Sequence, residues 1–562
     1  MPYVPPVAEQ RFVLDEIAKI GELAATGPFA AATPDVVDAV LEGVGQFAVG
    51  EWAPLAREGD VNGPKWSEAG VTMPPGYRAA YQAYVEGGWG TIGAPADFGG
   101  QGLPFVLASA VLETLGSANA GFALAPTLTV GAIEALLHHG TPEQQAAYLP
   151  RLATGEWTGT MNLTEPQAGS DVGALRTRAE PAGDGQWKIA GTKIFISFGD
   201  HDLTDNIVHL VLARTPDAPK GTRGISLFLV PKVRADGTPN DVRTVSIEHK
   251  MGLHASPTCV LSFGDHGDCL GEMIGGEGGG MRAMFTMMNN ARLNVGLQGV
   301  QVAEAATQKA VEYARDRIQG SREGAPVAIV EHPDVRRMLF RMKAQTQAAR
   351  ALVYLAAGQV DRANLGDAAA RDRLELLTPL AKAHATDLGN EVASLGVQVH
   401  GGMGYIEETG AAQFFRDARI FPIYEGTNGI QAADLVGRKL ALSNGAAFAG
   451  LIDDMRGDAQ GATLRILIDR CEGIGRRLAT SDADDRLAAS YPFLTMLSVA
   501  ACGWLMERQA RAATGDDDFA RMKRAVATFY VAQIVPEALG LEAAASAPAA
   551  PLYTLSADLF AA

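Results

Sequence analysis

One carboxylate in the chain is set among residues that would strip water from it. Glu425 stands in Phe421-Pro422-Ile423-Tyr424-Glu425-Gly426-Thr427-Asn428, after Arg416-Asp417-Ala418-Arg419 and before a helical run, Ile430 to Leu442. Apolar and aromatic neighbours raise a carboxyl pKa and make it a stronger base near neutral pH. Gly426 would let the backbone approach a ligand closely. Taken alone, the stretch reads rather as a helix N-terminus, with Thr427 or Asn428 as cap and Glu425 as a solvated neighbour. A second stretch, Met161 to Asp171, offers the hydroxyls of Thr164 and Ser170, the carboxylates of Glu165 and Asp171, and a tight Ala168-Gly169-Ser170 turn. Backbone N–H groups around such a turn can hold phosphate oxygens or the electron-rich edge of a ring, or the turn can simply lead into a strand.

The elements that must position these residues fall in a helical, β, helical order. The 562 residues exceed one compact core. Residues 1–35 read as an N-terminal arm with a short helix, Gln10 to Ala25. Residues 36–157 read as helical, Val36, Val37, Val40, Leu41, Val44 and Phe47 recurring at helical spacing. Thr141 with Pro142 reads as a helix start. Residues 158–275 are β-rich: Trp187 to Gly191, Ile207 to Ala213 and Ile225 to Val230 are short runs bounded by Gly, Pro and Asp, which predicts a small sheet or barrel. Residues 276–445 return to long periodic helices, enough for a bundle. Residues 446–562 form a further alanine-rich helical unit.

Composition narrows the function. Net charge is −17, which argues against nucleic acid as the main partner. No apolar run reaches the roughly 20 residues of a membrane helix, so no membrane insertion is expected, and no secretory signal is visible. Cys259, Cys269, Cys471 and Cys502 are far apart and form no CxxC, which fits reduced cysteines, a cytoplasmic protein and no metal site.

Motifs in series give the sharper reading. Thr164-Glu165-Pro166-x-Ala168-Gly169-Ser170-Asp171, then Gly191-x-Lys193-x-Phe195-Ile196-Ser197, resembles the flavin-binding part of the acyl-CoA dehydrogenases. The resemblance continues through Arg315-Asp316-Arg317-Ile318-Gln319-Gly320, Gln398 to Tyr405, Arg416 to Ile420 and Ile423 to Thr427. It covers roughly residues 36–445 in the family's order. The added C-terminal unit is similar to that of the longer bacterial branch, which includes 3-methylmercaptopropionyl-CoA dehydrogenases. The fold implied is mainly α with a central β domain.

The resemblance implies a bound FAD and a role for each matching residue. Met161, Leu163 and Thr164 would line the isoalloxazine, with Ile196 beside them. Gly169 and Ser170 would lie near the flavin phosphates and the thioester. Phe195 stands where the family has Trp, and Ser197 where it has Thr, keeping the hydroxyl. Phe198 replaces Asn. Arg317 would meet the pyrophosphate, with Gly320-Ser321 in place of the usual Phe-Gly. Gln398, Gly401 and Gly402 would cradle the FAD of a neighbouring subunit, and Thr427 would also touch FAD. Arg292, Tyr424, Gly426 and Ser170 would contact substrate. His400 reads as a structural or cofactor-facing residue.

The activity implied is dehydrogenation of an acyl-CoA thioester to a trans-2-enoyl-CoA, with Glu425 as base. Some relatives carry the glutamate at the position of Ala291, and alanine cannot serve. Glu165 and Glu407 are the other carboxylates placed in these motifs. Electrons would pass to an electron-transfer flavoprotein, in a pathway such as β-oxidation, and the enzyme would be a homodimer. Two alternatives are an acyl-CoA oxidase, which shares the motifs, and a DNA-binding flavoprotein of the same superfamily, which needs a basic surface.

Overall fold

A computed structural model of the chain describes residues 3–561, and the main chain alone for residues 285–289. The chain divides into two compact units: Ala39–Ala291, and Pro6–Asp38 with Arg292–Ala562. The helical, β, helical order and its mainly α character match the expectation.

The first unit is built on an eight-stranded sheet. Its strands are β3 (Thr158–Asn162), β4 (Arg178–Gly183), β5 (Gln186–Ser197), β6 (Ile207–Ala213), β7 (Ser226–Pro231), β8 (Val242–Ile247), β9 (Thr258–Phe263) and β10 (Leu270–Ile274). They lie in the order β3-β6-β7-β10-β5-β9-β8, with β4 on β5, and only β3 and β6 are paired in parallel. The strand period of two divides the core. Leu210, Leu212, Leu227 and Leu229 face one cluster with Leu136 and Leu149 of the preceding helices, while Val211, Phe228 and Val230 face the other. The helix Pro142–Thr154 starts as its sequence predicts. Thr141 accepts from the Gln144 N–H and the Gln144 side chain returns to the Thr141 N–H, a reciprocal cap that stabilises by about 1 kcal/mol. Periodicity does not announce the hairpin β1 (Lys65–Ser67) and β2 (Gly70–Thr72) within residues 36–157. It is too short for a pattern of its own. Asp200 and Asp202, just past β5, accept from the Val71 and Met73 N–H groups and hold it.

The second unit is a helical bundle on Pro333–Asn364, Ala368–His400 and the later part of Gly280–Asp316. The N-terminal stretch packs into it: Val13, Leu14, Ile17, Ile20 and Leu23 are buried, and buried Glu9 accepts from Lys523 at 2.7 Å. Lys523 belongs to Asp518–Phe529, one of the helices of residues 446–562. The helix Ala483–Ala512 is long and apolar enough, by composition, to cross a membrane. Within this unit, however, 83% of its most apolar window is buried, and it packs as a core helix.

Candidate active site

The loop carrying Glu425 is assembled from both ends. Phe421 is fully buried and anchors its start, its ring 6.1 Å from that of Tyr424. The Tyr424 hydroxyl donates to buried Gln298, so it can meet a substrate with its ring or as an acceptor but not as a donor. At the other end Thr427 caps the helix Asn428–Gly437, accepting from the Ile430 N–H at 3.2 Å. The helix start expected from the stretch alone is therefore real, and it coexists with a strained turn. Glu425 has φ +54° and Gly426 φ +84°. A Cβ on Gly426 would come within 2.8 Å of the Gln431 amide nitrogen. Left-handed backbone at a glutamate costs about 1–2 kcal/mol. Among the described residues the Glu425 N–H has no hydrogen-bond partner.

The electrostatics of the loop favour a base. Glu425 is half-buried by surface area, and protein encloses its carboxyl. Burial raises its pKa, while the Arg292 and Lys382 cations act the other way and leave a net rise. Arg292 is itself buried, and its Nε has no partner. Burial lowers its pKa, opposed by Asp434 and Glu425. Lys382 is fully buried and donates to the Asn428 Oδ1 at 2.9 Å. Burial pushes its amine down to about 7 against the pull of Asp387 and Glu425. Sequence reasoning missed Lys382. The available signal was a lone lysine within Leu376-Leu377-Thr378-Pro379-Leu380-Ala381-Lys382-Ala383, an otherwise uncharged helical run.

The same unit holds some of the residues matched to FAD. Arg317 lies exposed just past the helix Gly280–Asp316, where the hairpin β11 (Ile318–Arg322) and β12 (Ala325–Ala328) begins. Gly320 and Ser321 lie exposed on that hairpin. Gln398, Gly401 and Gly402 are exposed at the end of Ala368–His400, and nothing lies within 4 Å of a Cβ on either glycine. His400 is tied into the fold. Its Nδ1 meets the Gly396 carbonyl at 2.7 Å and its ring stacks on Tyr313 at 4.4 Å. Glu407 pairs with Arg416 at 2.8 Å.

In the sheet unit, the two flavin motifs are joined by a pair that sequence reasoning also missed. Lys193 on β5 donates to Glu165 at 2.8 Å and to the Leu163 carbonyl at 3.1 Å, and both charged groups are buried. Glu165 also accepts from the Thr177 hydroxyl and from the Arg176 and Thr177 N–H groups. Burial acts to raise its pKa, but Lys193 and these donors outweigh it and hold it down to about 2. Glu165 is thus a structural anion and not a reserve base. The Ile194 N–H donates to the Thr164 carbonyl at 2.9 Å, completing the join.

β5 then breaks register between Lys193 and Ile196 against β9. At this bulge Phe195 has φ +61° and the residue is 58% exposed. Leu163, Thr164 and Ser197 are half-buried, and Gly169 and Ser170 are exposed. An uncovered aromatic ring, with the Ser197 hydroxyl at the end of its own strand and the Thr164 hydroxyl in the loop after β3, suits a flat ring with a polar edge. The side chains of Met161 and Ile196 are buried in the two sheet cores. Phe198, at φ +47°, is also buried and lies edge-on to His201. Among the described residues no group of three or more His, Cys, Asp or Glu could hold a metal ion.

Family models match along the chain: the acyl-CoA dehydrogenase N-terminal domain over residues 35–156, its middle domain over 160–266 and its C-terminal domain over 278–440. A model described as acetyl-CoA dehydrogenase C-terminal like matches 451–556. The chain is 45% identical to a 3-methylmercaptopropionyl-CoA dehydrogenase of Ruegeria pomeroyi, over 96% of this chain and 97% of that protein. It is 36% identical to a butyryl-CoA dehydrogenase of Syntrophomonas wolfei, over 88% of each. The solved structure of an acyl-CoA dehydrogenase from Bacillus anthracis, complexed with FAD, superposes with a TM-score of 0.76. It is 22% identical and aligns over 95% of this chain and 91% of that one.

Proposed function

The chain belongs to the acyl-CoA dehydrogenase family, and from that premise we propose that it is an FAD-dependent enzyme that converts an acyl-CoA thioester to the trans-2-enoyl-CoA, with Glu425 as its base. The observation that carries this reading is Glu425 itself. Its carboxyl makes no hydrogen bond among the described residues, and burial raises its pKa against two cations. A thioester α-hydrogen is a weak acid, and a desolvated carboxylate is the group suited to remove it. The unpaired Glu425 N–H is free to donate to the thioester carbonyl oxygen, where charge develops as the proton leaves.

The residues present fit FAD. Phe195 would take one face of the ring, Thr164 and Ser197 its polar edge, and Gly169 and Ser170 the phosphates. Arg317, Gln398, Gly401, Gly402 and Thr427 form a second set, open to solvent and suited to the pyrophosphate and to the FAD of a neighbouring subunit. FAD supplies the acceptor for the β-hydride. This second set supports a homodimer as the smallest complete enzyme. Light scattering that shows an active, FAD-bound monomer would contradict it. Four buried free cysteines support a reducing, cytoplasmic setting.

The test is anaerobic bleaching of the flavin by a series of acyl-CoA substrates, including butyryl-CoA and 3-methylthiopropionyl-CoA. Reoxidation by an electron-transfer flavoprotein with negligible peroxide formation is expected. Rapid peroxide formation would make the protein an oxidase instead. Failure of every acyl-CoA to bleach the bound flavin would overturn the reading.

A further inference from the structure

The added C-terminal region reaches the base loop through a chain of hydrogen bonds that starts at exposed Tyr491 and ends at buried Lys382. Tyr491, on the helix Ala483–Ala512, donates its hydroxyl to the Asp387 Oδ2 at 2.7 Å. The other oxygen of Asp387 accepts from the Asn428 Nδ2 at 2.8 Å. The Asn428 Oδ1 accepts from Lys382 at 2.9 Å. A lysine ammonium can only donate, so it fixes which way the amide points. The Asn428 Nδ2 also lies 3.0 Å from both the Ala383 carbonyl and the Thr386 hydroxyl, so its two hydrogens are shared among three acceptors, and its main-chain N–H donates to the Pro422 carbonyl at 2.9 Å. The side chain of Asn428 is therefore saturated, and its backbone closes the loop that holds Glu425.

We propose that Tyr491 is a positioning residue for Glu425, and that one function of the C-terminal helical region is to hold the base loop through Tyr491, Asp387 and Asn428. The proposal rests on the assignment of Glu425 as base. It gives the region matched over residues 451–556 a part in the chemistry that acts through Asp387 and Asn428.

The charge relations give the role a sign. Glu425 faces Arg292 from Gly280–Asp316 and Lys382 from Ala368–His400. Asp434, Arg438 and Glu375 act on Arg292. Asp387 acts on Lys382, and Arg419 on Asp387. Tyr424 sits beside Glu425, and Tyr491 beside Asp387. Burial raises the Asp387 pKa, and the Tyr491 hydroxyl is among the groups that hold it down. Without that hydroxyl, Asp387 protonates more readily and Lys382 keeps its charge less well. Glu425 then loses part of its stabilisation as an anion.

The experiment is Tyr491→Phe in the full-length holoenzyme, with Glu425→Gln in parallel. Trp504→Phe serves as control, since Trp504 bonds Asp458 within the same region at 3.0 Å and does not reach the loop. Tyr491→Phe should retain FAD, slow substrate bleaching about 5- to 20-fold and move the acid limb of kcat/KM to higher pH. Trp504→Phe should leave the limb in place. Combined with Asn428→Ser, Tyr491→Phe should add less than its separate effect, both in rate and in thermal midpoint. The midpoint needs no turnover. Bleaching within two-fold of the parent and an unmoved limb would overturn the proposal. So would a loss matched by Trp504→Phe, or fully additive midpoints. If Glu425→Gln remains active, the base assignment itself fails, a result distinct from all of these.

Discussion

Lys193 and Glu165, 28 positions apart in the chain, form a buried ion pair at 2.8 Å that fastens the strand carrying Phe195 to the turn carrying Gly169 and Ser170. Lys193 also holds the Leu163 carbonyl. One lysine thus fixes the relative placement of the two motifs that would meet the flavin ring.

Lys193→Met should destabilise the protein by about 3–5 kcal/mol at neutral pH, because it strands a buried carboxylate. The folded pKa of Glu165 is depressed to about 2. Its contribution is therefore complete above the ordinary carboxyl pKa and is lost as pH falls toward 2. The gap between parent and variant should narrow over that window. Chemical unfolding at pH 7 and pH 3 checks it, and a gap independent of pH would refute the assignment.

Glu425→Gln should keep the fold and the flavin but slow anaerobic bleaching by at least about 10²–10⁴-fold. Glutamine is nearly isosteric, so the packing of Phe421 and Tyr424 survives. Stopped-flow absorbance of the reconstituted variant is the measurement. A rate within a few-fold of the parent removes Glu425 as base.

What was legible in the sequence follows the range of the interactions. Helices and strands came from local periodicity, and the cap at Thr141 from its own few residues. Glu425 and Phe195 are legible through the resemblance of their motifs to the family; taken alone, the Glu425 stretch reads as a helix start. Lys382, Lys193 and Tyr491 were invisible as site residues for a different reason. Each acts through partners 28 or more positions away. Lys382 left a trace as a lysine in an uncharged run, and Lys193 stands in a quoted motif that does not name its partner.

Gly426→Ala tests whether the strained turn matters to the base. Alanine must adopt φ +84° and displace the Gln431 amide. The loop should shift by a few tenths of an ångström or more, and kcat/KM should fall about 10- to 100-fold with FAD retained. A variant of full activity would show that the loop tolerates the change.

The pH dependence of turnover carries the last prediction. The base must be ionised, so kcat/KM should rise with pH through the pKa of Glu425. That pKa lies above the ordinary carboxyl range of about 4.3. Burial is the larger influence, and Arg292 is the first of the two cations that restrain it. Arg292→Gln removes that restraint and keeps a hydrogen-bonding side chain. The carboxylate then becomes harder to form, and the acid limb should move to higher pH. At a pH above the new limb, proton abstraction by a more basic Glu425 should recover part of the lost rate. Arg292→Lys keeps the charge in a different shape, so its limb should stay near that of the parent even if its rate falls. Profiles of kcat/KM for the three proteins decide the matter. If Arg292→Gln moves the limb down or not at all, Arg292 does not act on Glu425 through its charge.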